Sequence, residues 1–169
     1  MLKELAVLAI CSMMAVTPAA EGSSAVPVNT GISLGRTVET ANPFTECRTL
    51  GEAAQNAGFG ITVPDKIEGY TQCAIRSIQD QMIEIVYSGS QDGRRLRIRK
   101  TAGTGDISGD YTQYREIRRT EVDGRHVILR GDDSKVNAAV WTDGGFSFSV
   151  GGGGGMSSVD IQALIQTIK

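Results

Sequence analysis

The chain has 169 residues, 40% of them hydrophobic and 21% charged, with a formal net charge of −2. That composition suits one globular domain of ordinary size with a tail, and the near-neutral balance argues against general affinity for nucleic acid or an anionic membrane. One histidine and one tryptophan also narrow the chemistry, because a serine or cysteine nucleophile usually needs a histidine base.

At the N-terminus Lys3 precedes an apolar run from Leu5 to Val16, broken at Pro18 and followed by Ala19 and Ala20. This is the order of a secretory signal peptide, and the run falls short of the ~20 residues of a spanning helix. Residues 1–20 are therefore read as an export signal, cleaved near Ala19, Ala20 or Ala25. The mature protein is expected to be secreted or held at the cell surface, without a transmembrane segment. Residues 21–41 are small, polar and non-periodic, as in a flexible linker. The folded body is expected over 42–169.

Cleavage removes Cys11 and leaves Cys47 and Cys73. In an exported chain two cysteines allow one disulfide, which would close a loop of about 26 residues and add roughly 3.5 kcal/mol in chain-entropy terms. Two free buried thiols are the equal alternative.

The body opens with a short helix in "TLGEAAQNAG". Thr49 can cap it, Glu52 completes a capping box and Gly58 can end it, with Leu50, Ala53, Ala54 and Ala57 inward. "ITVP" reads as a short strand and "DKIEGY" as a turn. From there the period is two. "QCAIRSI", "MIEIVYS", "RLRIRK", "REIRRTEV", "RHVILR", "NAAVWT" and "FSFSV" are short strands separated by turn residues, with hairpin chemistry at Asp123-Gly124 and Asp143-Gly144. A flexible glycine run, 151–155, leads to a final helix capped by Ser157 or Ser158, with Ile161, Leu164, Ile165 and Ile168 on one stripe. The expected fold is α+β: an antiparallel meander of about six to seven strands with an N-terminal and a C-terminal helix on one face.

The segments "NPFTEC", "EAAQNAGFGITVPDKIEGY", "MIEIVY", "IRKTAG", "DISGDY", "AVWTDGGFSFSV" and "MSSVDIQALI" occur in an order that resembles a family of exported bacterial domains of unknown function from Gram-positive bacteria. Some of its members form the extracellular end of anti-sigma-factor-like membrane proteins. The resemblance runs from about Asn42 to Lys169 and implies no catalytic residues. The chain departs from the membrane-anchored members in having no spanning helix before the domain.

Candidate sites follow from the residues. His126 alternates with Val127 and Leu129 and so faces away from the core, with no nucleophile placed beside it. The acidic pair Asp132-Asp133 belongs to a turn. The glycine run lacks the Lys-Ser/Thr that follows the last glycine of a phosphate loop, since Met156-Ser157 stands there. Asp106, Ser108 and Asp110 match the first three ligands of a calcium loop, but Tyr111 and Ile117 stand where the glycine and closing glutamate belong. A structural loop is favoured over a weak cation site there, and no metal or other cofactor is expected.

Ten basic residues lie between Arg94 and Arg130 against five acids. Alternation places Arg95, Arg97 and Arg99 on one strand face, and Arg118 or Arg130 can lie alongside. The expected function is therefore a non-enzymatic binding or sensing domain whose cationic sheet face meets an anionic cell-surface polymer or a protein, not nucleic acid. A small hydrolase or a lipid or ligand carrier, with its site in a sheet–helix groove, is the alternative.

Overall fold

The structure, a computed structural model, describes residues 42–90 and 92–169. The expected export signal and linker lie outside the described residues. Eight strands and two helices follow in the order β1 (Thr45–Cys47), α1 (Leu50–Ala57), β2 (Tyr70–Ile78), β3 (Met82–Gly89), β4 (Arg95–Ala102), β5 (Glu116–Val122), β6 (Arg125–Asp132), β7 (Lys135–Asp143), β8 (Phe146–Ser157) and α2 (Ser158–Thr167). The fold is α+β, with one antiparallel sheet of eight strands in the order β1-β2-β3-β4-β8-β7-β6-β5.

This is not one continuous meander. Two four-stranded runs, β1–β4 and β5–β8, join where their last strands pair, Ile98 opposite Val150. The β4–β5 connection, residues 103–115, must therefore pass β8, β7 and β6 to reach the far edge. That is a span of about 19 Å at ~4.8 Å per strand, within reach of an extended segment of this length.

Local chemistry accounts for the elements. Thr49 Oγ1 accepts the Glu52 amide at 3.1 Å, the Glu52 carboxylate accepts the Arg48 amide at 2.9 Å, and Gly58 ends α1 in a left-handed conformation. Ser157 caps α2 by accepting the Asp160 amide at 3.1 Å. Asp123 and Gly124 both have positive φ in the β5–β6 turn, as a type I′ hairpin needs. At the β7–β8 turn Asp143 pairs with Phe146, so the two turn residues are Gly144 and Gly145, one position later than the sequence suggests.

Ala53 and Ala57 of α1 and Ile161, Leu164, Ile165 and Ile168 at α2 join one core with Ile83, Ile85, Ile98, Val127, Leu129 and Val150 of the sheet. Trp141 and Phe148 stack in it with centroids 5.2 Å apart and planes 4° off parallel. Lys100 is buried on this side too. Its Nζ donates to the Gly60 carbonyl at 2.6 Å and lies 4.5 Å from the Phe146 ring centroid and 5.2 Å from that of Phe148. Desolvation holds its pKa below the usual lysine value, opposed in part by Asp143. Arg125, on β6, donates to the carbonyls of Ile165 and Ile168 at 3.0 and 3.2 Å and so caps the end of α2.

Three segments depart from the sequence reading. β1 is an unexpected strand, only three residues long and at the sheet edge. "ITVP" forms no strand, although Thr62 exchanges two backbone hydrogen bonds with Lys169. The glycine run is not a loop: it continues β8 to Ser157. Between Ala138–Gly151 and Val136–Met156 the register slips, so that Asn137 alone opposes residues 152–155.

Gly152 is needed where it stands. A Cβ there would lie 1.9 Å from the Arg95 carbonyl oxygen, whereas one at Gly153 would meet nothing within 4 Å. Gly152→Ala is expected to cost about 1–3 kcal/mol in urea unfolding, the range for overpacking, and Gly153→Ala to stay within about 0.5 kcal/mol. Equal losses at both positions would contradict this packing.

Candidate functional site

Strand register decides what each arginine on the second sheet face can do. Arg99 lies opposite Glu84 of β3 and Ser149 of β8, whereas Arg97 lies opposite Val86 and Gly151. Arg99 therefore has a carboxylate across the ladder and Arg97 has none. Arg99 Nε and Nη2 each stand 2.7 Å from Glu84 Oε2, with the glutamate side chain 3% exposed and the arginine 14%. The Arg76 guanidinium approaches the same carboxylate at 3.8 Å.

Arg99 also reaches outward. Its Nη1 donates to the carbonyls of Ile107 at 3.0 Å and Ser108 at 2.8 Å, fixing the β4–β5 connection over the sheet. Gly109, with φ of 62°, packs on that guanidinium so closely that a Cβ would fall 2.6 Å from Nη1. Further ties hold the connection: the Gly103 amide donates to the Gly145 carbonyl at 2.9 Å, Ser147 Oγ accepts the Gly105 amide at 2.9 Å and donates to the Gly103 carbonyl at 3.0 Å, the Arg115 amide donates to Asp132 at 2.7 Å, and Arg130 pairs with Asp106 at 2.5 Å.

Asp106, Ser108 and Asp110, the candidate cation ligands, are used inside the loop. Asp106 Oδ1 accepts the amide and hydroxyl of Ser108, Ser108 Oγ accepts the Asp110 amide, and Asp110 accepts the Thr112 amide and the Tyr114 hydroxyl. These are chained Asx and Ser turns. Among the described residues no group of three or more His, Cys, Asp or Glu side chains converges on a metal position.

Arg118 does not join the arginine face. It pairs with Leu129, a core residue, so it lies on the core side of β5 and approaches Glu116 at 3.8 Å. Arg119, opposite Ile128, takes the second face instead. Arg130 does lie on that face, in the row Arg97–Gly151–Ala138–Arg130. Three strand spacings separate the two arginines, about 14 Å, and Asp106 occupies Arg130. Arg95 and Arg97 form no ion pair among the described residues and are exposed.

Gly151 and Ala138, with no bulk to fill the row, leave a cleft of about 300 Å³ between the sheet and the connection. Arg95 and Arg97 form one wall, Asp110, Thr112 and Tyr114 the other. Ser149 lies at the base, 2% exposed. A second hollow, between Phe44 and the arginines, shares Arg95 and Arg97 with the first. The two guanidiniums thus stand between two hollows, about 6.8 Å apart along the strand.

A groove of about 480 Å³ beside α2, lined in part by Ile67, Tyr70, Met156 and Leu164, is the sheet–helix site that a hydrolase or carrier would use. No histidine or cysteine lines it, and the hydroxyl of Ser157 is engaged with Asp160 in capping α2.

Cys47 and Cys73 are both free thiols, so the disulfide between them is not formed. Cys47 lies opposite Ile75 with Sγ 3.1 Å from Ser77 Oγ, whereas Cys73 sits at a β-bulge and donates to the Val86 carbonyl. His126 is exposed opposite Glu121. Neither family models nor curated proteins nor solved structures provide a match to this chain.

Burial raises the pKa values of Asp106 and Asp110. Their hydrogen bonds, from Ser108 and Tyr114 respectively, and the Arg130 charge outweigh it and hold both below the usual carboxylate value. A carboxylate depressed in the folded state stabilises fully above its unfolded pKa, and that contribution is lost as pH falls through the folded value. Thermal stability should therefore fall below about pH 4. In Asp106→Asn that fall should be shallower, on a lower plateau at pH 7. An unchanged acid profile in the variant would contradict the assignment.

Proposed function

We propose that this chain is an exported, non-enzymatic binding domain that captures an anionic group with Arg95 and Arg97, in keeping with the family resemblance read from its sequence. The observation that carries this reading is the partition of the arginines. Arg99 and Arg130 are matched to Glu84 and Asp106, while Arg95 and Arg97 border a cleft with no acid opposite them in the ladder. Unmatched guanidiniums offer fork-shaped donors to phosphate or carboxylate, and unpaired like charges two residues apart favour occupation by an anion. Export is supported by the apolar run, Pro18 and the alanines that follow. No helix among the described residues is long and apolar enough to cross a membrane. At the cell surface, an anionic polymer or an acidic protein segment would meet this face.

Retention on an immobilised anionic polymer tests the reading. Wild type should bind at low salt and weaken as screening shortens toward a Debye length of about 8 Å at physiological ionic strength. Arg95→Glu with Arg97→Glu should lose about tenfold or more in affinity, the scale of one charged hydrogen bond, while keeping a cooperative unfolding transition. Equal retention of wild type and the double variant would overturn the proposal.

A further inference from the structure

The cleft is not uniformly cationic, and that asymmetry narrows its ligand. Facing the Arg95 and Arg97 wall is Asp110, whose Oδ1 accepts the Thr112 amide at 3.0 Å and whose Oδ2 accepts the Tyr114 hydroxyl at 2.5 Å. A carboxylate has about four acceptor positions, so about two remain for a ligand. With its pKa held below the usual carboxylate value, Asp110 is ionised at neutral pH. A bare anion drawn to the arginines gains nothing from this wall and is repelled by it. A ligand with hydroxyl donors beyond its anionic end satisfies both walls.

The base of the cleft points the same way. Ser149, 2% exposed, lines it with a hydroxyl that can both donate and accept. The cleft, about 300 Å³, is at the small end of the ~300–1,000 Å³ range for small-molecule sites. It admits one sugar-sized unit.

We propose that the cleft selects a polyhydroxylated anion, a sugar or polyol carrying a phosphate or carboxylate. The anion sits on Arg95 and Arg97, and a hydroxyl donates to Asp110. This inference rests on the anion-binding reading above and adds the requirement for hydroxyl groups. A fixed acceptor on one wall and fixed donors on the other favour such a ligand, because one lacking the hydroxyl leaves the open acceptor positions of Asp110 unfilled beside its own charge.

Isothermal titration of the mature protein with sulfate, a tetrahedral anion without a hydroxyl donor, and with glucose 6-phosphate, glucuronate and glucose separates the possibilities. The phosphorylated sugar should bind at least about tenfold more tightly than sulfate, and glucose should not bind measurably. Glucuronate binding more tightly than glucose 6-phosphate would support the inference with a carboxylate as the anion; the opposite order would support it with a phosphate. In Asp110→Asn, glucose 6-phosphate should weaken while sulfate holds or tightens, bringing the two within about threefold. A variant that merely unfolds would lose both, and its thermal transition would show it, in which case Tyr114→Phe, which frees one acceptor of Asp110, should sharpen the preference instead. Sulfate and glucose 6-phosphate binding equally to wild type would overturn the selection and leave anion capture standing. A preference that survives unchanged in Asp110→Asn and Tyr114→Phe would overturn the role of Asp110. Absence of binding by every anion would overturn both readings.

Discussion

The ion pair of Arg99 with Glu84 is the contact on which the second face of this protein depends. Burying a charged pair in a sheet is costly, and it persists where geometry and extra hydrogen bonds recover the lost hydration. Here Arg99 Nε donates to Glu84 Oε2 with Nη2 held 2.7 Å from the same oxygen, while Nη1, on the opposite edge, donates to the carbonyls of Ile107 and Ser108. One side chain thus joins the β3–β4 ladder to the long connection above it. Residues 103–115 lie over the sheet with little apolar surface of their own, since Gly103, Gly105 and Gly109 add none; other hydrogen bonds hold their two ends, and Arg99 ties their middle at Ile107 and Ser108.

The same pairing produces the asymmetry on which binding is argued. Strand alternation places Arg95, Arg97 and Arg99 on one face, but the neighbour across the ladder differs at each step. Glu84 neutralises Arg99, and Val86 and Gly151 leave Arg97 unopposed. The fixed connection then supplies the far wall, with Asp110 held by Thr112 and Tyr114. Under the binding reading proposed above, structural and recognition roles would be divided among adjacent arginines of one strand rather than shared by a cationic patch as a whole.

Much of the framework was legible in the sequence because its signals are local. Period-two segments mark β2 to β8, Thr49, Gly58 and Ser157 mark helix ends, and Asp123-Gly124 marks a hairpin. Pairings distant in sequence were not legible. No local pattern shows that β4 adjoins β8, and that junction forces the connection across the face and separates Arg97 from Arg130 by two strands. Arg118 was misplaced because the two apolar residues of β5, Ile117 and Val122, have opposite parity; Val122 is the buried one, and it sets Arg118 on the core side and Arg119 on the second face. Lys100 and Arg125 look like ordinary surface cations in sequence. Their partners, the Gly60 carbonyl with a phenylalanine pair and the end of α2, lie about 40 residues away in the chain. The glycine run reads as a loop because its strand character comes wholly from its neighbours β4 and β7.

The central claim is that Arg99 pins the β4–β5 connection and thereby builds the cleft wall. Amide hydrogen exchange across residues 103–115 measures this directly, in wild type and in Arg99→Ala, with Arg97→Ala as the control. The account predicts that loss of Arg99 raises exchange throughout the connection, most at Gly105, whose amide is bonded to Ser147, while Arg97→Ala leaves the pattern as it is. Unchanged protection of the connection in Arg99→Ala, in a protein still folded at β6 and β7, would contradict it.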